Sequence, residues 1–152
     1  MEDEKAGGRP EYEALKLGNQ ICFPLYACAR EIIKRYSEPL KALDITYTQY
    51  ITMMVLWEHR CLSVKELGKC LHLDSGTLTP VLKSLEVKGY VERRRSAEDE
   101  RVLLCTLTPA GEELRDRAVS VPYEVGCSVK LAPEEAAQLH ALLHKMLSAM
   151  EE

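Results

Sequence analysis

The order of predicted elements in the middle of the chain constrains its fold more than any other feature. A Ser-x-x-Glu capping box opens a short helix over residues 63–71, and an Asp-Ser-Gly-Thr segment opens a second helix, with Pro80 in its first turn, that stops at Gly89. The three residues between these helices make the turn of a helix-turn-helix. Two extended segments, residues 90–95 and 101–107, follow around a short charged tip and predict a β-hairpin. A helix-turn-helix followed at once by a hairpin is the winged-helix arrangement.

Further helical segments flank this central part on both sides. Apolar residues recur at helical spacing over residues 23–43, where Pro39 is expected to end or kink the helix, and a Thr-x-x-Gln capping box then opens a buried helix. On the C-terminal side a helix starts at Thr108-Pro109, residues 121–131 form a predicted break, and an amphipathic helix covers residues 133–150. The predicted fold class is mainly α with a small β-wing.

The chain is predicted to form one domain with three parts. Residues 1–11 make a flexible tail, residues 12–45 and 109–152 make dimerisation helices, and residues 46–108 make the winged helix-turn-helix. The flanking helices carry more apolar surface than a monomer of this size readily covers, so we expect a symmetric homodimer. Two recognition helices related by a two-fold axis would then meet successive major grooves of a pseudo-palindromic operator on double-stranded DNA.

Composition limits the classes of function. The 152 residues are 46% hydrophobic and 29% charged, and neither an apolar run near the ~18 residues of a membrane span nor a signal-like start is present. We therefore expect a cytoplasmic protein with no membrane partner. The net charge of −4 argues against a protein that coats nucleic acid, but residues 63–108 hold 8 Lys/Arg against 7 Asp/Glu, so the acidic excess lies elsewhere. The six cysteines include no Cys-x-x-Cys pair, which predicts free thiols, no structural zinc and no cofactor.

Cys22 stands two residues before Pro24, and this placement points to redox chemistry. Proline fits the first turn of a helix but damages its interior, so a helix carrying Pro24 begins close to it, with Cys22 at or just before the helix N-terminus. Unpaired N–H groups and the positive end of the macrodipole favour an anion there. The thiolate is the form of cysteine that attacks peroxides and disulfides. The alternative is a small core cysteine, which a helix start makes less favoured.

The predicted recognition helix and hairpin supply the candidate DNA-binding residues. Hydroxyls on the helix suit base edges or phosphates, and lysines suit phosphates. Arg101 at the base of the hairpin tip is placed to enter a narrow minor groove, and Asp99 to orient a guanidinium through a bidentate pair. Three consecutive arginines alternate sides of a strand, so not all of them can face DNA. The candidates are Ser75, Thr77, Thr79, Lys83, Arg93, Arg94, Arg95, Asp99 and Arg101, with Lys88 as a further lysine on the helix.

The chain resembles the MarR family of dimeric winged-helix repressors. The similarity runs through residues 67–107 and includes Asp99-Glu100-Arg101, followed by Leu107-Thr108-Pro109-Ala110-Gly111. Within that family, Asn19-Gln20-Ile21-Cys22-Phe23 is similar to the organic hydroperoxide regulators, and the resemblance covers nearly the whole chain from about Tyr12. It implies a repressor, not an enzyme, whose reactive cysteine matches Cys22. Organic hydroperoxides oxidise that cysteine, and the oxidised protein releases DNA.

The resemblance also implies roles for other residues around the cysteine. Tyrosines matching Tyr36 and Tyr47 hydrogen-bond the cysteine of the opposite subunit, and Cys127 matches a second, resolving cysteine that some members carry. Tyr36 lies 14 residues beyond Cys22 in the sequence, about 21 Å along a helix, so it cannot reach the cysteine of its own chain. Tyr26 follows Cys22 at i+4 and can lie near its own Cys22.

Two other interpretations stay open at this point. A thiol peroxidase uses the same cysteine chemistry, although it has no use for a DNA-binding wing. A MarR-type regulator of another oxidant, an electrophile, an aromatic ligand or a metal shares the fold, and His140 and His144 have the i, i+4 spacing that can hold zinc. Because no acidic or cysteine partner stands near these histidines and the leucines of the same helix explain it as a packing helix, no metal site is predicted.

Overall fold

A computed structural model describes residues 10–150 of the chain. Helices α1 to α4 span Pro10–Glu13, Cys22–Arg35, Ser37–Ala42 and Tyr47–His59, with one 3-10 turn at Leu17–Asn19. Strand β1 (Cys61–Ser63), helices α5 (Val64–Leu71) and α6 (Ser75–Val87), and strands β2 (Val91–Arg95) and β3 (Leu103–Leu107) follow. Helices α7 (Pro109–Ala118), α8 (Val121–Gly126) and α9 (Pro133–Met150) complete the order. The predicted mainly α fold with a small β-wing is confirmed.

The predicted flexible tail lies mostly outside the described residues. Residues 1–9 and 151–152 are not described, while α1 begins at residue 10, inside the stretch predicted as tail. Among residues 10–150 there is no helix with the length and apolarity that a membrane span needs.

The helix-turn-helix forms where its capping residues predict it. Ser63 Oγ accepts a hydrogen bond from the Glu66 N–H at 3.2 Å, and the Glu66 carboxylate accepts one from the Ser63 N–H at 2.8 Å. At the start of α6, the Asp74 carboxylate accepts a hydrogen bond from the Thr77 N–H at 2.9 Å. These contacts satisfy N–H groups that a helix start leaves unpaired. We call α6 the recognition helix.

Strands β2 and β3 form the predicted antiparallel hairpin, which we call the wing together with its tip. Val91 lies opposite Leu107 and Arg95 opposite Leu103. Strand β1 also pairs with β3, so the sheet has the order β1-β3-β2. The sequence pattern does not predict β1, because three residues are too few to show the alternation of a strand. Ser63 is the last residue of β1 and the N-cap of α5, so this strand joins the base of the wing to the helix-turn-helix.

The N-terminal helix breaks earlier than predicted. Helix α2 ends at Arg35 and α3 begins at Ser37, so the break falls at Tyr36 and Pro39 lies inside α3. A proline ring clashes with the carbonyl four residues before it and has no N–H to bond that carbonyl. For Pro39 this carbonyl belongs to Arg35, which explains the position of the break. Tyr36 therefore stands at the corner between two helices.

Two further predictions about proline-containing segments were wrong. Residues 121–131 are not a break throughout, because Val121–Gly126 form α8 and bury Val121 and Val125. Proline at its second position suits the start of a helix. Pro80 is the sixth residue of α6 rather than part of its first turn, so this helix lacks one interior hydrogen bond.

A single hydrophobic core joins the winged helix to part of the flanking helices. It includes residues of α3, α4, α6, α7 and α8, and Trp57 Nε1 donates a hydrogen bond to the Gly111 carbonyl of α7 at 2.8 Å. By contrast, α2 and α9 have no buried residue. Much of the exposed apolar surface of the described residues thus lies on α2 and α9. Large exposed side chains on these helices and just before α2 include Ile21, Phe23, Tyr26, Ile33, Leu139, Leu142 and Leu147.

Candidate functional site

Cys22 is the first residue of α2, and its side chain is exposed. The residue before it, Ile21, is apolar and 71% exposed, and among the described residues no side chain caps this end of the helix. The free N–H groups of an uncapped helix start favour an anion nearby. The predicted position of Cys22 at the helix N-terminus is confirmed, and its chemical role stays a prediction.

Tyr26 lies one helical turn beyond Cys22 on the same face of α2. Arg30, a further turn along, donates a hydrogen bond from Nη1 to the Tyr26 hydroxyl at 3.3 Å, and its guanidinium carbon lies 5.5 Å from the ring centroid. A phenol and a positive charge therefore share the face of the helix that starts with the thiol. Arg30 was not a predicted site residue, although its position two helical turns beyond Cys22 was a signal that could have found it.

Tyr36 and Tyr47 pack against each other, with ring centroids 4.9 Å apart. Burial raises the pKa of Tyr36, and the neighbouring Tyr47 raises it further, so this phenol stays protonated and able to donate a hydrogen bond. Tyr36 is the residue that follows the last turn of α2, whereas Cys22 is the first residue of that helix. The structure thus brings together two of the three predicted tyrosines, Tyr36 and Tyr47, at the opposite end of α2 from the thiol.

Cys127 stands at the end of helix α8, within the segment 121–131 that was predicted as a break. It is the C-cap of α8, its N–H donates to the Tyr123 carbonyl at 3.0 Å, and its side chain is exposed. All six cysteines of the chain are free thiols. Burial raises the pKa of Cys105 to about 12, so this thiol stays protonated and unreactive.

The recognition helix presents most of its predicted polar residues to solvent. Ser75, Thr77 and Lys83 are exposed, and Thr79 is half-buried. The Thr77 hydroxyl donates to Asp74 at 2.8 Å and the Thr79 hydroxyl donates to the Ser75 carbonyl at 2.6 Å. Because the proton of each threonine is used within the helix, these hydroxyls offer acceptor lone pairs to an outside partner.

Arg101 and Asp99 form the bidentate pair that the sequence predicts at the wing. Arg101 Nε lies 3.0 Å from Asp99 Oδ1, and Nη2 lies 3.0 Å from Oδ2. Hydrogen bonds from the Arg101 side chain and backbone lower the pKa of Asp99, so the carboxylate stays ionised and holds the guanidinium. The Arg101 side chain is nonetheless 91% exposed. Together with Lys65, Lys69 and Ser75, it lines an open cleft of about 720 Å³ between the wing and the helix-turn-helix.

The three consecutive arginines of β2 have different surroundings, as strand alternation requires. Arg94 forms an exposed ion pair with Glu92 at 2.9 Å, and Arg95 Nη1 donates to the Glu100 carbonyl at 3.2 Å. Arg93 instead turns inward and binds Glu86 of the recognition helix, with its Nε and Nη2 at 3.0 and 2.6 Å from Glu86 Oε2. Its guanidinium is therefore held within the chain, which agrees with the expectation that not all three arginines face DNA, and a contact of Arg93 with DNA stays a prediction.

The ammonium of Lys88 also binds a group of its own chain. Its ammonium donates to the Asp44 carbonyl and lies 3.1 Å from the Asp44 carboxylate. Among the described residues, no group of three or more His, Cys, Asp or Glu side chains is placed to hold a metal ion. The His140 and His144 rings contact each other, with their Nε2 atoms 3.0 Å apart.

The Arg93–Glu86 pair predicts a pH-dependent contribution to stability. Hydrogen bonds from Arg93 lower the pKa of Glu86 in the folded state. The contribution of this ion pair to the free energy of unfolding is therefore fully present above the pKa of glutamate in the unfolded chain. It is lost as the pH falls through the lowered pKa of Glu86 in the folded state. We expect Glu86→Gln to lower the thermal unfolding midpoint at neutral pH, and the difference from wild type to shrink towards zero below about pH 4.

Differential scanning calorimetry at both pH values measures this difference. Glu92→Gln is the matched control, because it removes the exposed pair with Arg94 and should change the midpoint little. An equal midpoint difference for Glu86→Gln at neutral and acid pH would show that the ion pair does not account for the effect.

Comparison with known proteins places this geometry in a family. The family described as Transcriptional regulator SarA/Rot matches residues 34–118. The chain is 44% identical to the Organic hydroperoxide resistance transcriptional regulator of Bacillus subtilis, over 92% of this chain and 95% of that relative. The chain belongs to the MarR-type transcriptional regulators. The resemblance inferred from residues 19–23 and from the wing is thereby confirmed.

Solved structures of MarR-type regulators share the fold. A structure of reduced AbfR bound to DNA is 34% identical, with a TM-score of 0.75 over 93% of this chain and 99% of that chain. AbfR is a Staphylococcus epidermidis protein, which has also been solved in an overoxidized form bound to DNA and in a disulfide form. A mutant of MarR from E. coli, complexed with operator DNA, is 29% identical, with a TM-score of 0.77 over 91% of this chain and 99% of that chain.

Proposed function

We propose that this MarR-type regulator is a homodimeric repressor that binds an operator in double-stranded DNA and releases it when an organic hydroperoxide oxidises Cys22. The observation that carries this proposal is an exposed thiol at the uncapped start of α2, in a chain that also presents a helix-turn-helix and an arginine-bearing wing. The relatives are transcriptional regulators, and we propose that this chain likewise has no enzymatic turnover. A repressor acts where the DNA is, which fits the cytoplasmic localisation expected from the sequence.

The exposed apolar surface of α2 and α9 supports the dimer. Neither helix buries a residue, and Ile21 and Leu142 are 71% and 60% exposed. Pairing with the same helices of a second copy would remove this surface from water. If the two copies of α2 run antiparallel, the Tyr36–Tyr47 pair of one subunit lies near Cys22 of the other, which one 14-residue helix cannot achieve within its own chain.

The proposed sensing step is a two-electron oxidation of sulfur. The Cys22 thiolate attacks the terminal oxygen of the hydroperoxide, the O–O bond breaks, and sulfenic acid forms on Cys22. The alkoxide leaves and takes up a proton from water to become the alcohol. Hydroxyl donors from Tyr26, Tyr36 and Tyr47 would hold the sulfur in place. The thiolate of Cys127 of the partner subunit then attacks the sulfenic sulfur, forming a disulfide and releasing hydroxide, which takes up a proton to become water.

The described conformation is more similar to the DNA-bound forms of AbfR than to its disulfide form. Its TM-score is 0.75 against reduced AbfR bound to DNA, 0.74 against overoxidized AbfR bound to DNA, and 0.65 against the disulfide form. We propose that Arg101, oriented by Asp99, enters the minor groove and that the recognition helix enters the major groove. Further contacts are proposed for Ser75, Thr77, Thr79 and Lys83 of the recognition helix and for Arg94 and Arg95 of β2, all of which are exposed or half-buried.

Cys127→Ser is expected to abolish the covalent dimer. Oxidised wild-type protein should run as a dimer on a non-reducing gel, because Cys22 of one subunit and Cys127 of the other close a disulfide, which needs Cα atoms within about 7 Å. The variant should run as a monomer. Cys61→Ser is the matched control, since it removes another exposed thiol with no proposed role, and it should still form the dimer. A peptide map that places the disulfide within one chain, or on Cys28, would contradict this step.

The proposal as a whole is tested by DNA binding. A duplex selected from a randomised library by the reduced protein is labelled, and its Kd is measured by fluorescence anisotropy before and after cumene hydroperoxide, with hydrogen peroxide alongside. We expect the organic hydroperoxide to raise the Kd at least about tenfold. An unchanged Kd would contradict the proposal. Turnover of hydroperoxide with a thiol reductant at catalytic protein concentration, without DNA binding, would instead identify a thiol peroxidase.

A further inference from the structure

A buried side-chain amide links the tyrosine pair to the recognition helix. We propose that Gln49 and Ser84 are positioning residues that transmit the oxidation of Cys22 to α6, an inference that rests on the proposed function. Neither residue is among those proposed to hold the thiol or to bind DNA. Their role is to fix α6 to the segment that carries Tyr47.

Gln49 makes two hydrogen bonds with its side-chain amide. The residue is 6% exposed, its Oε1 accepts from the Thr46 N–H at 3.0 Å, and its Nε2 donates to Ser84 Oγ at 2.8 Å. Thr46 is the N-cap of α4, and Ser84 lies in α6. A buried amide that loses a partner is costly, so this contact constrains how the start of α4 and the recognition helix are placed.

A second contact fixes the same two segments. Lys88 follows Ser84 by one helical turn, and its ammonium donates to the carbonyl of Asp44 and pairs with the Asp44 carboxylate at 3.1 Å. Asp44 has a φ of 56° in the turn before α4. Residues 44–49 are therefore held to one face of α6 at two points.

Tyr47 lies between these two points of attachment. Its ring packs on Tyr36, the corner residue between α2 and α3, with centroids 4.9 Å apart. A cavity of about 710 Å³ is lined by Tyr36, Tyr47, Gln49, Ser84 and Lys88. A displacement of Tyr47 would therefore move the start of α4, to which the recognition helix is bonded.

These contacts couple the oxidation of Cys22 to the position of the recognition helix. In the proposed dimer, the tyrosine pair of one subunit holds the cysteine of the other, and disulfide formation at that cysteine would displace the pair. The Gln49–Ser84 bond would carry the displacement to α6 and change the spacing of the two recognition helices. Apolar contacts between α4 and α6 are not directional, whereas this hydrogen bond fixes orientation.

The test compares operator release in variants of the full-length protein. The measured quantity is the ratio of the Kd after cumene hydroperoxide to the Kd before it, for the library-selected duplex. Ser84→Ala is expected to lower this ratio about fivefold, the equivalent of one neutral hydrogen bond. The Kd of this variant before hydroperoxide treatment should equal that of wild type. Its rate of Cys22 oxidation, followed by mass spectrometry, should also equal that of wild type. Ser84→Thr keeps the hydroxyl and should restore the ratio.

Two more variants make the test independent of general destabilisation. Thr52→Val removes a buried hydroxyl of α4 that donates within its own helix, to the Thr48 carbonyl at 2.8 Å, and should leave the ratio unchanged. Gln49→Met removes the same interhelical bond as Ser84→Ala from the other side. The double variant should therefore lower the ratio no further than the larger single effect.

The outcomes separate this inference from the proposed function. If wild-type protein keeps its operator after Cys22 is oxidised, the proposed function fails. If wild type releases the operator and Ser84→Ala and Gln49→Met release it equally, the positioning role is overturned while the sensor stands. An equal fall of the Kd ratio in Thr52→Val would also overturn the positioning role, because the effect would then not be specific to the Gln49–Ser84 hydrogen bond.

Discussion

Cys22→Ser is expected to bind the operator with wild-type affinity and to stay bound after treatment with an organic hydroperoxide. Serine keeps the size of the side chain at the start of α2 but has no sulfur to oxidise. The ratio of the Kd after treatment to the Kd before it should fall from at least about tenfold in wild type to about one. Fluorescence anisotropy of the labelled duplex measures both values.

Cys28→Ser is the matched control for this result. Cys28 is a second exposed thiol on α2, without the position at the helix start, and its loss should leave the release intact. If Cys22→Ser still releases DNA under hydroperoxide, another thiol is the sensor. If the untreated variant fails to bind DNA, Cys22 has a structural role instead.

Arg101→Ala is expected to weaken operator binding about 10- to 100-fold while the dimer stays folded. The side chain is 91% exposed and is held by a bidentate pair to Asp99, so it is oriented with its charge available to an outside partner. Loss of a minor-groove arginine removes a contact with the most negative part of the duplex. The weakening should be largest at low salt, and the slope of log Kd against log salt should become less steep.

Two measurements check the arginine prediction. Circular dichroism establishes that the variant is folded, and anisotropy at several salt concentrations gives the Kd and its slope. Arg115→Ala is the comparison and should leave the Kd unchanged, because Arg115 is also exposed and paired with a carboxylate, that of Glu112, but lies on α7 and has no proposed contact with DNA. An unchanged Kd in folded Arg101→Ala would mean that the wing does not read DNA.

Local sequence signals predicted most of the fold because they act within a few residues. The capping residues Thr46, Ser63, Asp74 and Thr108 each form the hydrogen bonds that their spacing indicates. Strand β1 escaped prediction because it is defined by pairing with β3, which lies beyond the helix-turn-helix in the chain. Helix α8 escaped because its proline and glycine suggested a break, while burial of two valines stabilises a helix.

The same distinction between local signals and contacts of distant segments applies to the site residues. The position of Cys22 followed from Pro24, and the Asp99–Arg101 pair followed from a spacing of two. The inward turn of Arg93 depends on Glu86 of another element. The Gln49–Ser84 bond joins residues 35 apart, and no local pattern indicates such a contact. Site contacts between residues close in sequence could therefore be predicted, whereas contacts that depend on the packing of separate elements could not.

In the proposed function, oxidation of Cys22 itself drives operator release. One titration tests it directly: the protein on its labelled duplex receives increasing cumene hydroperoxide, and each sample is divided between anisotropy and thiol-specific mass spectrometry. We expect the fraction of DNA released to follow the fraction of Cys22 oxidised, and a thiol reductant to reverse both. Release at low Cys22 oxidation, or complete Cys22 oxidation with the operator still bound, would contradict it.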